Sequence, residues 1–374
     1  GNEKSASISY KTLCEDVEVG GKILIDDGLI TLKITDIEDG NIVTKVLVGG
    51  PLSSNKSVNV PDVKLNLPSL TEKDIADIEG GIVNDVDYIA ASFVRRKEDV
   101  LAIREILDKH DSNIKIISKI ENREGLENFD EILSVSDGIM VARGDLGVEI
   151  PFSEVPIVQK IMIKKTYAEA KVVITATQMM ESMISSPNPT RAEVSDVANA
   201  IFDGTGAIML SGETAVGKYP VECIKRMSAI AEDVEASIDY WKRFKAREIP
   251  KNNFEFIINH AMCTTALDID VKAIFCYTHT SDTPRIVASL QPKCPIFVST
   301  SNYKVYNQLS LVWGLNPKFM EEEKKPKSMI LDDISERVEE GLLKKGDIVL
   351  IAGGKYIGSD KREVNKSIGG IYKI

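Results

Sequence analysis

Between residues 88 and 211 the chain repeats one arrangement five times: a short run of apolar, mostly β-branched residues, then a stretch with helical spacing. The runs are Tyr88–Val94, Ile114–Lys119, Gly138–Val141, Val172–Thr177 and Ala207–Ser211. The helical stretches after them are Glu98–Lys109, Arg123–Leu133, Val155–Ala170, Arg191–Phe202 and Pro220–Glu235. The runs are apolar throughout instead of alternating, so each strand is expected to be buried on both faces. Strands of that kind, alternating with helices, predict a parallel sheet in an α/β fold. Ser92, Lys119 with Glu121, Asp145, Thr177 and Glu213 fall at the C-terminal ends of successive runs. In a (β/α)8 TIM barrel the chemistry is built on that end of the strands. Five strands do not close a barrel of eight, so either the sheet is open and doubly wound or three units lie outside this sequence.

The flanks read differently. Residues 1–66 predict antiparallel strands: Lys22-Ile-Leu-Ile25, a run from Leu29 and Asn41–Val48, with Asp26-Asp-Gly28 and Glu38-Asp-Gly40 as turns. Pro61 and Pro68 mark the change of style, and Ser69 is expected to cap the next helix. Residues 67–236 carry the five βα units. Residues 237–374 predict a smaller α/β domain, with a helix over Phe254–Leu267, strands over Lys272–Tyr277, Pro295–Thr300, Gly346–Ala352 and Ile371–Ile374, and a helix over Ile330–Leu343. The charged run Glu321–Lys327 reads as a solvated loop.

Composition excludes several classes. The net charge is −11 and basic residues are interleaved with acids, so no nucleic-acid footprint is present. The apolar runs are far too short to span a bilayer, and the first residues lack a signal-peptide core. Five scattered cysteines without a Cys-x-x-Cys pair suit free thiols in a reducing cytoplasm, and three distant histidines offer no zinc spacing.

Two stretches carry chemistry: Ile114-Lys-Ile-Ile-Ser-Lys-Ile-Glu-Asn122 and Ser136-Asp-Gly-Ile-Met-Val-Ala-Arg-Gly-Asp-Leu-Gly147. Lys119 and Glu121 are two apart on a strand, so both face one side. Alone they fit a salt bridge at the sheet rim; with Asp145 at the matching point of the next strand they fit a site. Glu121 and Asp145 would bind Mg²⁺ or Mn²⁺ through oxygen, and Lys119 would neutralise a transferring phosphoryl group or an enolate. Gly144 and Gly147 free backbone N–H groups for a carboxylate, in a loop leading to the helix near Val155. Thr177 either handles a proton or satisfies a local backbone group. Lys56 is either solvated or reaches a phosphate from a β-region folded over the site. Thr278, Thr280, Ser281 and Thr283 precede a helix whose first residue would be Pro284; they form either a phosphate cradle or an over-rich helix cap, and Asp282 argues against an anion.

The order of the motifs is more specific than any one of them. Ile116-Ile-Ser-Lys-Ile-Glu-Asn, Gly138-Ile-Met-Val-Ala-Arg-Gly-Asp-Leu-Gly, Ala176-Thr-Gln-Met-Met-Glu-Ser-Met, Pro189-Thr-Arg-Ala-Glu-Val-Ser-Asp-Val-Ala-Asn-Ala and Ile208-Met-Leu-Ser-Gly-Glu-Thr-Ala follow one another. Together they closely resemble pyruvate kinase. The resemblance spans the whole chain and is strongest from Ile23 to Glu235. It implies phosphoryl transfer from phosphoenolpyruvate to ADP, giving pyruvate and ATP, with Mg²⁺ or Mn²⁺ and usually K⁺. It implies a TIM barrel with an inserted β-barrel lid over residues 1–66 and a C-terminal regulatory domain, assembled as a cytoplasmic homotetramer.

Carried over by motif, Lys119 stabilises the phosphoryl group and the enolate, and Glu121 and Asp145 hold the metal. The Ala142-Arg143-Gly144-Asp145 turn receives the substrate, with the carboxylate on the Gly144 and Asp145 N–H groups. Thr177 lies by the carbon to be protonated, Ser92 near the substrate phosphate and Lys56 on the nucleotide side. Residues 278–283 match a loop that binds a sugar-phosphate effector.

Three departures accompany the resemblance. The family's first three barrel strands have no counterpart, nor do its K⁺ ligands, so the sequence is expected to be part of a longer protein and to hold barrel strands four to eight. Ser281-Asp282 stands where the family often has glycine, and the tail after Gly353 matches poorly. Two competing readings remain: another Mg²⁺-dependent barrel enzyme acting on phosphoenolpyruvate or pyruvate, such as an aldolase, and a non-catalytic fragment or subunit.

Overall fold

The computed structural model describes residues 1–2, 4–66, 68–247, 249, 253–321, 326–353, 356–357, 363–364 and 369–374. The N-terminal part is an antiparallel sheet of β1 (Lys22–Ile25), β2 (Ile30–Glu38), β3 (Asn41–Val48) and β4 (Val58–Asn59), in the order β3-β2-β1-β4. Ile23, Ile34 and Val60 pack beneath it with Leu13 and Val17. Asp26 and Asp27 both take positive φ, 55° and 54°, before Gly28, which makes the tight turn joining β1 to β2. Asp is among the few residues that tolerate this conformation.

The middle of the chain contains five parallel strands in sequential order: β5 (Tyr88–Ala91), β6 (Lys115–Ile120), β7 (Gly138–Ala142), β8 (Val172–Ala176) and β9 (Ala207–Ile208). β7 and β8 are buried on both faces and β6 nearly so, as the unbroken apolar runs require, while the edge strands β5 and β9 are only partly buried. Ile116, Ile120, Ile139, Val141 and Val173 pack under the covering helices, while Ile117, Met140, Val172, Ile174 and Ala176 cluster on the opposite face. Among the described residues no strand pairs with the free edges of β5 and β9, so the sheet does not close on itself.

Several boundaries differ from those expected, each for a local reason. The first helix after the lid, Glu72–Val83, is capped by Thr71 instead of Ser69, through a reciprocal capping box with Asp74. Ser69 Oγ instead donates to Asp99 Oδ1 at 2.6 Å. The strand at 88–94 ends at Ala91, because Phe93 turns the chain with φ 53°. The helix expected over 123–133 is two helices, Arg123–Glu127 and Phe129–Val135, joined at Asn128, whose side chain donates to the Arg95 carbonyl. The last strand is shorter than 207–211: after Ile208 only the Met209 N–H continues the ladder to Thr175, and a helix over Gly212–Ala215 follows.

The C-terminal part is a sheet of β10 (Ala273–Tyr277), β11 (Ile296–Thr300), β12 (Leu315–Phe319), β13 (Ile348–Gly353) and a last antiparallel strand, Gly369–Lys373. Short pairs Tyr356–Ile357 and Glu363–Val364 lie between the final two. The expected helix over 330–343 runs instead from Pro326 to Glu339, and residues 322–325 of the charged run lie outside the described residues. This part docks on the N-terminal ends of the central strands. Tyr88 Oη donates to the Gln308 carbonyl at 2.8 Å, and Lys304 Nζ reaches the Val86 carbonyl at 2.6 Å. The opposite, C-terminal ends face the N-terminal antiparallel sheet.

Candidate active site

Register aligns the strand ends. Ala91 sits opposite Ser118, Ile120 opposite Val141, and Ala142 opposite Ala176. The residues that follow, Ser92, Glu121, Arg143 and Thr177, therefore come off one rim of the sheet. Lys119 and Glu121 share a face with Ile117, as their two-residue spacing requires. Lys119 Nζ lies 2.7 Å from Glu121 Oε1 and 3.0 Å from Ser92 Oγ. Glu121 is 1% exposed, and its other oxygen accepts the Phe93 N–H, the group that the strained Phe93 backbone turns toward it.

Asp145 is the second carboxylate. Burial pushes its carboxyl up, Glu121 pushes it further, Lys119 acts in the opposite direction, and Asp27 of the lid adds a small upward push. Two crowded carboxylates thus share one ammonium. Their mutual repulsion and hard oxygen donors fit a divalent cation such as Mg²⁺. Among the described residues no group of three or more His, Cys, Asp and Glu side chains is placed to hold a metal ion, so oxygens from substrate and water would complete the shell of a bound ion.

The turn after β7 differs from the loop expected there. Arg143–Glu149 is a short helix that begins directly after Ala142, the buried last residue of the strand. Gly147 lies inside this helix and its backbone needs no glycine. At Gly144 a Cβ would lie 3.4 Å from Thr177 Oγ1, a close but ordinary contact, and the Gly144 N–H donates to that oxygen at 2.7 Å. The Thr177 hydroxyl donates in turn to the Ala176 carbonyl at 2.6 Å. Thr177 therefore does satisfy local backbone groups. It does so with φ at 67°, rare for a β-branched residue, and Gln178 follows with φ 53°.

The Arg143 side chain, expected among the substrate-binding groups, is engaged by partners within the chain. Nη1 is 2.7 Å from Asp196 Oδ1, Nη2 donates to the Thr177 carbonyl at 2.7 Å, and Nε lies 3.4 Å from the Ala176 carbonyl. The guanidinium is thus committed to the strained turn after β8. Glu213, expected among the functional strand-end residues, is 1% exposed and accepts the Met180 and Ser211 N–H groups, so it anchors the same segment from the other side. The Arg143–Asp196 and Met180–Glu213 partnerships are not visible in sequence spacing, because the partners are more than 30 residues apart.

The N-terminal antiparallel sheet packs against this rim. Asn59 donates to Glu149 Oε1 at 3.0 Å, Arg123 pairs with Asp62 at 3.0 Å, and Gly28 approaches Val148. Lys56 sits at the edge of the lid, paired with Asp26 at 2.8 Å, beside the turn that brings Asp27 into the field of Asp145.

In the hydroxyl cluster of the C-terminal part Thr278, Ser281 and Thr283 are buried and Thr280 is exposed. Thr278 Oγ1 accepts the Thr280 and Ser281 N–H groups, Thr280 donates to Asp282, and Thr283 donates to Glu255 Oε1 at 2.9 Å. These bonds tie the loop to itself and to Glu255, and no side chain caps the helix that follows. The helix itself is Asp282–Ser289, so Pro284 is its third residue instead of its first, still within the turn where a missing N–H costs no bond. Ser281 has φ 74°, a conformation suited to glycine.

Comparison with known proteins agrees with this geometry. Residues 1–224 match the family described as pyruvate kinase, barrel domain, and residues 257–365 match pyruvate kinase, alpha/beta domain. The chain is 51% identical to a pyruvate kinase of Geobacillus stearothermophilus over 362 residues, covering 96% of this chain and 62% of that protein. It is 47% identical to a pyruvate kinase of Clostridium acetobutylicum, covering 95% of this chain and 75% of that protein. A crystal structure of a pyruvate kinase from Cryptosporidium parvum superposes with a TM-score of 0.90 at 36% identity, covering 98% of this chain and 74% of that one. The aligned strand ends, the Lys119–Glu121–Asp145 group and these matches, which span about three fifths to three quarters of the relatives' length, place the chain in the pyruvate kinase family.

Proposed function

We propose that the complete protein transfers the phosphoryl group of phosphoenolpyruvate to ADP, giving pyruvate and ATP. The observation that carries this reading is the Lys119 ammonium held between Glu121 and Ser92 on the rim that also bears Asp145 and Thr177. An oxygen of the ADP β-phosphate forms a new bond to phosphorus while the bond from phosphorus to the enol oxygen breaks. The electron pair of that bond stays on the enolate, whose methylene carbon then takes a proton. Lys119 neutralises the charge that grows on the phosphoryl and enolate oxygens. Ser92 holds the ammonium in place beside the substrate phosphate. The Gly144 and Asp145 N–H groups receive the substrate carboxylate, and Thr177 stands at the methylene face. A divalent cation, Mg²⁺ or Mn²⁺, held by Glu121 and Asp145, supplies further positive charge at the transferring oxygens.

On the same reading residues 1–66 belong to a lid, residues 67–236 to the second part of a TIM barrel and residues 237–374 to a regulatory domain. Lys56 serves the nucleotide from the lid, after exchanging Asp26 for a phosphate. K⁺ is a further requirement with no ligand assigned on this chain. A cytoplasmic homotetramer is the assembly, and a sugar-phosphate effector at residues 278–283 would have to displace the present partners of Thr278 and Thr283. No helix among the described residues is long and apolar enough to cross a membrane.

The test is pyruvate formation from phosphoenolpyruvate by the complete protein with Mg²⁺ and K⁺. Formation that requires ADP and yields ATP in equal amount supports the reading. Aldol cleavage instead would favour the related class of barrel enzymes, and no turnover at all would favour a non-catalytic role.

A further inference from the structure

We propose that Arg143 is a positioning residue, whose task is to hold Thr177 in its left-handed conformation so that the Thr177 hydroxyl faces the reacting carbon. This rests on the phosphoryl-transfer reading and deepens it. Two consecutive residues grip Thr177 at both of its polar groups: the Arg143 guanidinium takes its carbonyl at 2.7 Å, and the Gly144 N–H takes its hydroxyl at 2.7 Å. Asp196 fixes the guanidinium from behind at 2.7 Å, and the Arg143 side chain is only 10% exposed.

The grip matters because the conformation is costly. A Thr at φ 67° followed by Gln178 at φ 53° is strained backbone, which persists only where the surroundings impose it. Carbonyls in such a turn point away from any strand ladder, and Arg143 supplies donors to Thr177, to Ala176 at 3.4 Å and to Gln178 at 3.4 Å. Its flat fork can serve several oxygens at once, which a lysine cannot. The same grip sets a competition. Substrate carboxylate arriving at the Gly144 N–H displaces the Thr177 hydroxyl from it, and Arg143 keeps the backbone of Thr177 in place while the hydroxyl is released toward the substrate.

A direct substrate contact and a positioning role leave different traces. Loss of a uniform binding contact raises KM, whereas misplacement of a group that acts in the transition state lowers kcat. Arg143→Lys in the complete protein is expected to lower kcat roughly 10²-fold, the cost typical of a misplaced reacting group, with KM for phosphoenolpyruvate changed by less than about threefold. The incorporation of solvent deuterium into pyruvate, which reports proton transfer at the methyl carbon, should fall in parallel.

A double-mutant cycle decides whether Arg143 acts through Thr177. In a Thr177→Ala background, Arg143→Lys is expected to cost less than about threefold in kcat, because coupled residues are not additive. An undiminished penalty there, or a raised KM with kcat unchanged, would overturn the assignment while leaving the enzyme reading intact. A wild-type protein without phosphoenolpyruvate turnover would overturn both. Should Arg143→Lys fail to fold, Asp196→Asn, which keeps the guanidinium but loosens its anchor, is expected to give a smaller loss in kcat of the same kind. A raised KM in that variant would count against the proposal.

Discussion

The Lys119 ammonium and the Glu121 carboxylate form a pair 2.7 Å apart at the end of one strand, and the carboxylate is buried while the ammonium is only partly so. Asp145 adds a second carboxylate whose protonation is favoured by burial and by Glu121. One buried and one half-buried carboxylate with a single ammonium are short of positive charge, which is the reason to expect a divalent cation there.

Glu121→Gln removes one of the two proposed metal oxygens. Loss of groups that merely orient metal ligands already weakens binding by roughly 10–100-fold, so loss of a ligand should weaken Mg²⁺ by at least the upper figure. Titration of Mg²⁺ against the variant by calorimetry checks this. An affinity equal to that of the unaltered protein would remove Glu121 from the metal site.

Lys56 leaves its partner Asp26 only if a phosphate takes its place. Lys56→Met is therefore expected to raise KM for ADP roughly tenfold, equivalent to about 1.4 kcal/mol, with KM for phosphoenolpyruvate little changed. Equal effects on both substrates would place the lysine elsewhere in the cycle.

Much of this was legible in the sequence. Unbroken apolar runs announced strands buried on both faces, and the two-residue spacing put Lys119 and Glu121 on one side. Their alignment with Asp145 and Thr177 followed from the order of the strands alone. What stayed hidden was long-range partnership. Nothing near Arg143 in the sequence signals that its guanidinium reaches Thr177 and Asp196, and nothing near Asp27 signals its approach to Asp145. Backbone strain was hidden for a related reason. A positive φ at Phe93, Thr177 or Ser281 runs against local preference and exists because surrounding contacts impose it. The glycines at 144 and 147 point to a loop in the sequence, yet both lie within the helix Arg143–Glu149 and neither takes a positive φ.

Ser281 offers a test of that strain. Its φ of 74° is unfavourable for any residue with a side chain. Ser281→Gly is expected to raise stability by about 1 kcal/mol, measured as a higher urea midpoint at unchanged slope. A lower midpoint would mean that the buried serine side chain contributes more than its conformation costs.

The base of the sheet carries a pH-dependent element. Burial pushes the Asp137 carboxyl up, but Lys115, the Ile116 N–H and Arg104 outweigh it and hold the carboxyl below its ordinary value. The folded state therefore binds this proton less readily than the unfolded chain. Its stabilisation is complete at pH values above the ordinary Asp range, about 3.9, and is lost as pH falls through the depressed folded value. Asp137→Asn should cost about 2 kcal/mol at pH 7, because it takes the carboxylate from two partly buried cations, and markedly less near pH 3. Denaturant titrations at the two pH values check the difference, and a cost independent of pH would contradict it.

The most direct measurement is kcat for pyruvate formation by the complete protein with Lys119→Met, at saturating phosphoenolpyruvate, ADP and Mg²⁺. The ammonium acts where charge develops, so kcat should fall by roughly 10³-fold or more while phosphoenolpyruvate binding changes little. A variant that folds and turns over at the unaltered rate would show that the pair at the end of this strand does not carry the reaction.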